Sequence, residues 1–98
     1  MVTRLQQIDN LEDLSDYVQT TLCNHSQLQP GAYPMTRRVL HRGGRPCAVY
    51  FCVHGPRSTK LTAIWETDRN QVLFYGSDGE RFQRTQLLET FRIENAAA

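Results

Sequence analysis

The run Met35-Thr36-Arg37-Arg38-Val39-Leu40-His41-Arg42-Gly43-Gly44-Arg45-Pro46-Cys47-Ala48-Val49-Tyr50-Phe51-Cys52-Val53-His54 decides the fold. At its centre Arg42-Gly43-Gly44-Arg45 separates two stretches rich in β-branched and aromatic residues, and a Gly-Gly pair permits the positive φ angles of a two-residue hairpin turn. With Gly43 and Gly44 at the tip, strict alternation sets His41 opposite Pro46, Leu40 opposite Cys47, Arg38 opposite Val49 and Thr36 opposite Phe51. One face then carries Leu40, Cys47, Val49, Phe51 and Val53. The other carries Met35, Arg37, Val39, His41, Ala48, Tyr50, Cys52 and His54.

Three later turns extend the same pattern. Gly55-Pro56-Arg57-Ser58-Thr59 pairs His54 with Lys60 and adds Leu61, Ala63 and Trp65 to the first face. Thr67-Asp68-Arg69-Asn70 pairs Glu66 with Gln71 and adds Val72 and Phe74. Ser77-Asp78-Gly79, with Gly in the left-handed position, pairs Phe74 with Phe82. The first face is therefore the expected core, with Arg38 and Arg84 at its margins.

Upstream, Leu11, Leu14, Val18 and Leu22 form one stripe at the helical period, which predicts a helix over about 10–26. Asp9 with Glu12, or Asn10 with Asp13, supplies a capping side chain ahead of a first-turn carboxylate. Gln29-Pro30-Gly31-Ala32-Tyr33-Pro34 ends that helix in a linker over 27–34. Met1 to Ile8 reads equally as a helical extension or a short strand. At the other end, Leu87-Leu88 breaks alternation, so the meander of about 35–85 is expected to give way, in segment 86–98, to a short C-terminal helix holding Leu87, Leu88 and Phe91. The expectation is one α+β domain over 1–98: an N-terminal amphipathic helix packed on a four- to five-stranded antiparallel β-meander.

Composition agrees with one small domain: 98 residues, 40% hydrophobic, 21% charged, net charge +1. The longest apolar run, Cys47 to Val53, is seven residues, whereas a membrane helix needs about 20. With no signal-peptide hydrophobic region after Met1, a cytoplasmic protein without a membrane partner is expected. Cys23, Cys47 and Cys52 lack the spacing of a disulfide scaffold and read as reduced thiols. A chain this short buries only about 60–65% of its unfolded surface, which favours a homodimer.

Charge is strongly segregated. Residues 1–33 hold Arg4 against Asp9, Glu12, Asp13 and Asp16, whereas residues 34–62 hold Arg37, Arg38, Arg42, Arg45, Arg57 and Lys60 with no acid. Such a run marks either an anion-binding surface or a region that the acidic helix neutralises. The expected anion or partner contacts are Arg37, Arg42, Arg45, Arg57, Ser58, Thr59 and Lys60. In His54-Gly55-Pro56-Arg57-Ser58-Thr59-Lys60, cations, hydroxyls and free backbone amides gather as they do around phosphate or carboxylate, without the spacing of a Walker loop.

The second sheet face mixes Met35, Val39, Tyr50, Cys52, His54, Ile64, Leu73 and Tyr75 with Arg37, His41 and Lys60. A contiguous apolar patch on a solvent-facing sheet marks an interface. Three occupants compete: the C-terminal segment, a second copy of the chain, or another ligand. The principal expectation is a non-enzymatic binding or regulatory domain, homodimeric through this face, with a basic rim for an acidic protein partner. The alternative is single-stranded RNA stacked on the tyrosines, with arginines for phosphate. A third reading is a small enzyme using Cys52 and His54, which lacks an evident oxyanion loop or carboxylate pair. No metal or cofactor site is expected, because Cys47, Cys52, His41 and His54 do not converge in this register.

Overall fold

The computed structural model describes residues 1–91. Its elements are β1 (Val2–Gln6), α1 (Leu11–His25), β2 (Met35–Arg42), β3 (Arg45–His54), β4 (Lys60–Glu66), β5 (Gln71–Tyr75) and β6 (Arg81–Leu87), with a tight turn over Pro56–Ser58 whose Arg57 and Ser58 have positive φ. The strands form one sheet in the order β1-β6-β5-β4-β3-β2. Strands β2 to β6 run antiparallel in sequence, and β1 lies parallel to β6. The domain is α+β, but its sheet is six-stranded and mixed rather than a four- to five-stranded antiparallel meander, and its helix follows a strand. The ambiguous segment before the helix supplies that sixth strand.

α1 starts where Asn10, in extended backbone, accepts a hydrogen bond on Oδ1 from the Asp13 N–H at 2.8 Å. Asn10 is thus the cap, and Glu12 and Asp13 sit where the helix dipole favours negative charge. The helix buries Leu11, Leu14, Val18 and Leu22 against Val49, Phe51, Val53, Leu61, Ala63, Trp65, Val72 and Phe74. Each buried Leu, Val and Phe among them contributes about 1.5–3 kcal/mol through burial. This is the dominant stabilising layer.

Two β-bulges change the expected faces. The β2–β3 turn has Gly43 at φ 59° and Gly44 at φ 78°, and it pairs His41 with Pro46 as expected. Pro46 has no N–H for the ladder, and the register slips there: Leu40 stands opposite Ala48, Val39 opposite Val49, Arg38 opposite Tyr50, and Thr36 opposite Cys52. A slip of one residue exchanges the faces of everything beyond it. Met35, Arg37 and Val39 therefore lie on the helix side, where Met35 and Val39 pack against the core. Leu40 and Arg38, expected on the core face, lie on the opposite side.

The second bulge lies between β5 and β6. Phe74 pairs with Gln83 and Tyr75 with Arg81, leaving Phe82 as the extra residue instead of the partner of Phe74. Phe82 stays on the helix side, stacked on His25 with centroids 3.6 Å apart. Gln83 and Thr85 are brought beneath the helix, where Gln83 Nε2 donates to Tyr17 Oη (3.1 Å) and Thr85 Oγ1 (3.0 Å). Tyr17 Oη and Thr85 Oγ1 share a further hydrogen bond of 2.9 Å. Arg84, expected at the core margin, consequently faces away from it.

Strand β6 runs to Leu87, two residues beyond the expected Thr85 limit. Residues 88–91 contain no helix, and Phe91 packs on Trp65 at a centroid distance of 4.6 Å. The remainder of the expected C-terminal helix lies outside the described residues. No helix among the described residues is long and apolar enough to cross a membrane.

Candidate functional site

α1 covers one side of the sheet, and no second helix occupies the other among the described residues. Strand register places three rows of side chains across that open face. The central row runs Arg38, Tyr50, Ile64, Leu73, Arg84, Thr3. Beside it lie Thr36, Cys52, Thr62, Tyr75 and Arg81 on one flank, and Leu40, Ala48, Glu66, Gln71, Gln86 and Leu5 on the other.

The rows form an apolar centre under a cationic fringe. Tyr50, Ile64 and Tyr75 are half-buried, while Leu73 and Cys52 are buried by their neighbours within the face itself. The Arg38 guanidinium carbon lies 5.8 Å from the Tyr50 ring centroid, within cation–π range. On the far side Arg84 Nη1 donates to Gln71 Oε1 at 3.0 Å, and Gln71 Nε2 donates to Glu66 Oε1 at 2.7 Å. That chain holds Glu66, the single acid in the three rows, in a hydrogen-bonded position beside Arg84.

Two depressions mark the face. One of about 390 Å³ is lined by Thr36, Arg37, Arg38, Tyr50, Cys52, His54 and Lys60, Arg37 reaching it although its guanidinium bonds to the helix. Thr36 Oγ1 and His54 Nε2 share a 3.0 Å hydrogen bond at its edge. The other, about 340 Å³, lies toward the Gly43–Gly44 end and sets Arg42 and Arg69 with Glu66 and Asp68 around Leu40, Cys47, Ala48 and Ile64.

The expected site residues are brought together only in part. Tyr50, Cys52, His54, Ile64, Leu73 and Tyr75 share the open face, whereas Met35 and Val39 belong to the other side through the first bulge. Arg37 does too. Its Nη1 donates to Ser15 Oγ (2.8 Å) and its Nη2 lies 3.3 Å from Glu12 Oε1, the one ion pair among the described residues. The acidic helix thus neutralises Arg37, while its other exposed acids, Asp13 and Asp16, lie across the sheet from Arg38 and Arg84.

The basic rim is divided as well. Arg42 and Arg45 flank the tip at one end of β3, and Arg57, Ser58, Thr59 and Lys60 occupy the turn at the other. Ten residues of strand separate them, on the order of 30 Å at about 3.3 Å per residue. A single small anion cannot bridge both clusters; an extended partner can. Arg38 and Arg84 are the cations nearest the apolar centre, and sequence reasoning placed both on the core side. The signal that could have moved Arg38 was Pro46, a residue that interior ladders exclude.

The chemistry available at Cys52 is limited. Burial pushes its thiol above the usual range, with nearby Lys60 pulling weakly the other way. Its Sγ contacts the Val53 carbonyl at 3.9 Å, and His54 Nε2 is engaged by Thr36 rather than by sulfur. A nucleophile needs the thiolate and a base in reach; here burial disfavours the thiolate, and the His54 Nε2 is hydrogen-bonded to Thr36. Among the described residues, no three His, Cys, Asp or Glu side chains gather as a metal site.

The fold and the site define a class, a small α+β domain with one covered and one open sheet face. The chain matches no protein-family model, and comparison with curated proteins and with solved structures likewise gives no match.

Proposed function

We propose that the protein is a non-enzymatic binding domain whose open sheet face takes an acidic segment of another protein. The observation that carries this reading is the central row Arg38-Tyr50-Ile64-Leu73-Arg84, an apolar and aromatic strip with a guanidinium at each end. Apolar side chains on a partner would cover Tyr50 and Ile64, and carboxylates would meet Arg38, Arg84, Arg81 and Lys60. Charged hydrogen bonds of that kind are stronger than neutral ones, and the cationic field speeds encounter with an acidic chain.

Two features favour a protein over single-stranded RNA. Arg38 already lies over Tyr50, the ring a base would need for stacking. Tyr50 and Tyr75 stand two strands apart, on non-adjacent strands and in different rows, too far to serve consecutive bases. The same charge weighs against stacking this face on a copy of itself, because two sets of arginines would meet with few acids between them.

Titration of isotope-labelled protein with an Asp/Glu-rich peptide carrying Leu and Phe, followed by amide shifts, tests the reading. Shifts confined to the open-face residues of β2 to β6 support it. Shifts along α1, or larger shifts with an oligouridine than with the peptide, would refute it.

A further inference from the structure

β1 and β2 are the two edges of the sheet, and the sequence treats them differently. β2 follows Pro34, carries Arg37, Arg38 and Arg42, and shifts register against β3 between Leu40 and His41, where Cys47 of β3 is the extra residue. Proline, charge and bulges are the devices that keep an edge from pairing with another chain. β1, Val2-Thr3-Arg4-Leu5-Gln6, has one charge and neither of the other two.

The exposed large apolar side chains among the described residues are Met1 (70%), Val2 (45%), Leu5 (67%) and Leu88 (59%). All four lie on or beside this edge, since the Leu88 N–H donates to the Gln6 carbonyl at 2.9 Å. That bond turns the Gln6 carbonyl toward β6, so by alternation the N–H and C=O of Thr3 and Leu5 point outward from the sheet. Val2 stands opposite Gln83 on the helix side, and Leu5 opposite Gln86 on the open side. Only a strand laid in the plane of the sheet meets both side chains and these backbone groups, which have no partner among the described residues.

We propose that β1 pairs antiparallel with β1 of a second copy about a two-fold axis at Thr3, making one continuous sheet across a homodimer. The strand is self-complementary at that register. Met1 of each copy falls opposite Leu5 of the partner subunit, and Val2 opposite the aliphatic stem of the partner's Arg4, while the two Arg4 side chains stay out of register. An axis at Arg4 would set like charges directly opposite, which is destabilising. The edge dimer leaves the open face free, so it stands or falls separately from the binding function.

Light scattering across the micromolar range, with a cysteine scan in a Cys47→Ser background, tests it. A dimer is expected whose dissociation constant rises more than about tenfold in Val2→Lys/Leu5→Lys and is unchanged in Tyr50→Asp. Oxidation should link Thr3→Cys copies, whose Cα atoms would lie about 5.5 Å apart. It should leave Arg4→Cys unlinked, because that offset exceeds the roughly 7 Å a disulfide spans. A monomer throughout, a dimer indifferent to the two lysines or broken by Tyr50→Asp, or cross-linking of Arg4→Cys in preference to Thr3→Cys would overturn the proposal.

Discussion

Arg38 lies over the ring of Tyr50, its guanidinium carbon 5.8 Å from the ring centroid, while the adjacent Arg37 reaches through the opposite side of the sheet to Ser15 and Glu12 on α1. The two arginines are neighbours in sequence and belong to different surfaces. The bulge at Cys47 assigns them. Had the ladder continued without it, Arg37 would stand over Tyr50 and Arg38 would meet the helix.

That assignment makes the two alanine variants unequal. Arg37→Ala removes a hydrogen bond and an ion pair that join β2 to the helix, and should cost about 1–2 kcal/mol after allowance for solvent screening. Arg38→Ala should cost about 0.5 kcal/mol, the low end for an exposed cation–π contact. Urea unfolding measures both. A larger loss at Arg38 would place β2 in the other register.

The β3–β4 turn holds Arg57 at φ 59° and Ser58 at φ 62°, with the Thr59 N–H donating to the Pro56 carbonyl at 3.0 Å. These are the angles of a type I′ turn, which favours Asn-Gly and costs ordinary side chains roughly 1–2 kcal/mol per residue. Arg57→Asn with Ser58→Gly should therefore raise stability by about 1 kcal/mol. Thermal unfolding would show a higher midpoint, and a lower one would mean that Arg57 or Ser58 makes a stabilising contact outweighing the strain.

Asn70 joins three parts of the fold. Its Oδ1 accepts from Trp65 Nε1 at 3.0 Å, its Nδ2 donates to the carbonyls of Leu87 (3.3 Å) and Glu89 (2.8 Å), and its φ is 48°. Asn70→Gly keeps the backbone and loses the bonds; Asn70→Ala loses both. Losses of about 1–3 kcal/mol for Gly, with Ala worse by about 1 kcal/mol, are expected. Equal losses would mean that the backbone angle carries no cost.

Cys23 and Cys52 both have thiols pushed above the ordinary value by burial, Lys60 partly opposing the shift at Cys52. Their folded pKa exceeds the unfolded one, so the unfolded chain releases protons first as pH rises. Stability is fully present below the unfolded thiol pKa and declines as pH climbs toward the folded one. Comparing urea midpoints from pH 7 upward, the wild type should lose more stability in the alkaline range than Cys23→Ala/Cys52→Ala does. Parallel profiles would show that neither thiol is held protonated by the fold.

The sequence made much of the sheet legible, and the limits have physical causes. The pairings His54 with Lys60 and Glu66 with Gln71 follow from turn chemistry and occur as expected. The helix stripe Leu11, Leu14, Val18, Leu22 was equally readable, because one buried face enforces one period. The first bulge was hidden because both registers of β2 set apolar residues on both faces, Met35 and Val39 on one and Leu40 on the other. β1 was hidden for a different reason. Four of its five residues are exposed and none is buried, so no hydrophobic alternation marks it, and its partner β6 lies at the other end of the chain. At the candidate site, residue types were readable before their faces were. Tyr50, Ile64, Leu73 and Tyr75 are where alternation put them, and the arginines beside them had to be found in the register.

The most direct measurement of the binding account is calorimetric titration of the acidic Leu/Phe peptide into wild type, Arg38→Glu/Arg84→Glu, and Arg37→Ala. The account predicts binding that falls more than about tenfold, or roughly 1.4 kcal/mol, in the open-face double variant and changes little in Arg37→Ala. Undetectable binding to wild type, or equal losses in the open-face and helix-side variants, would contradict it.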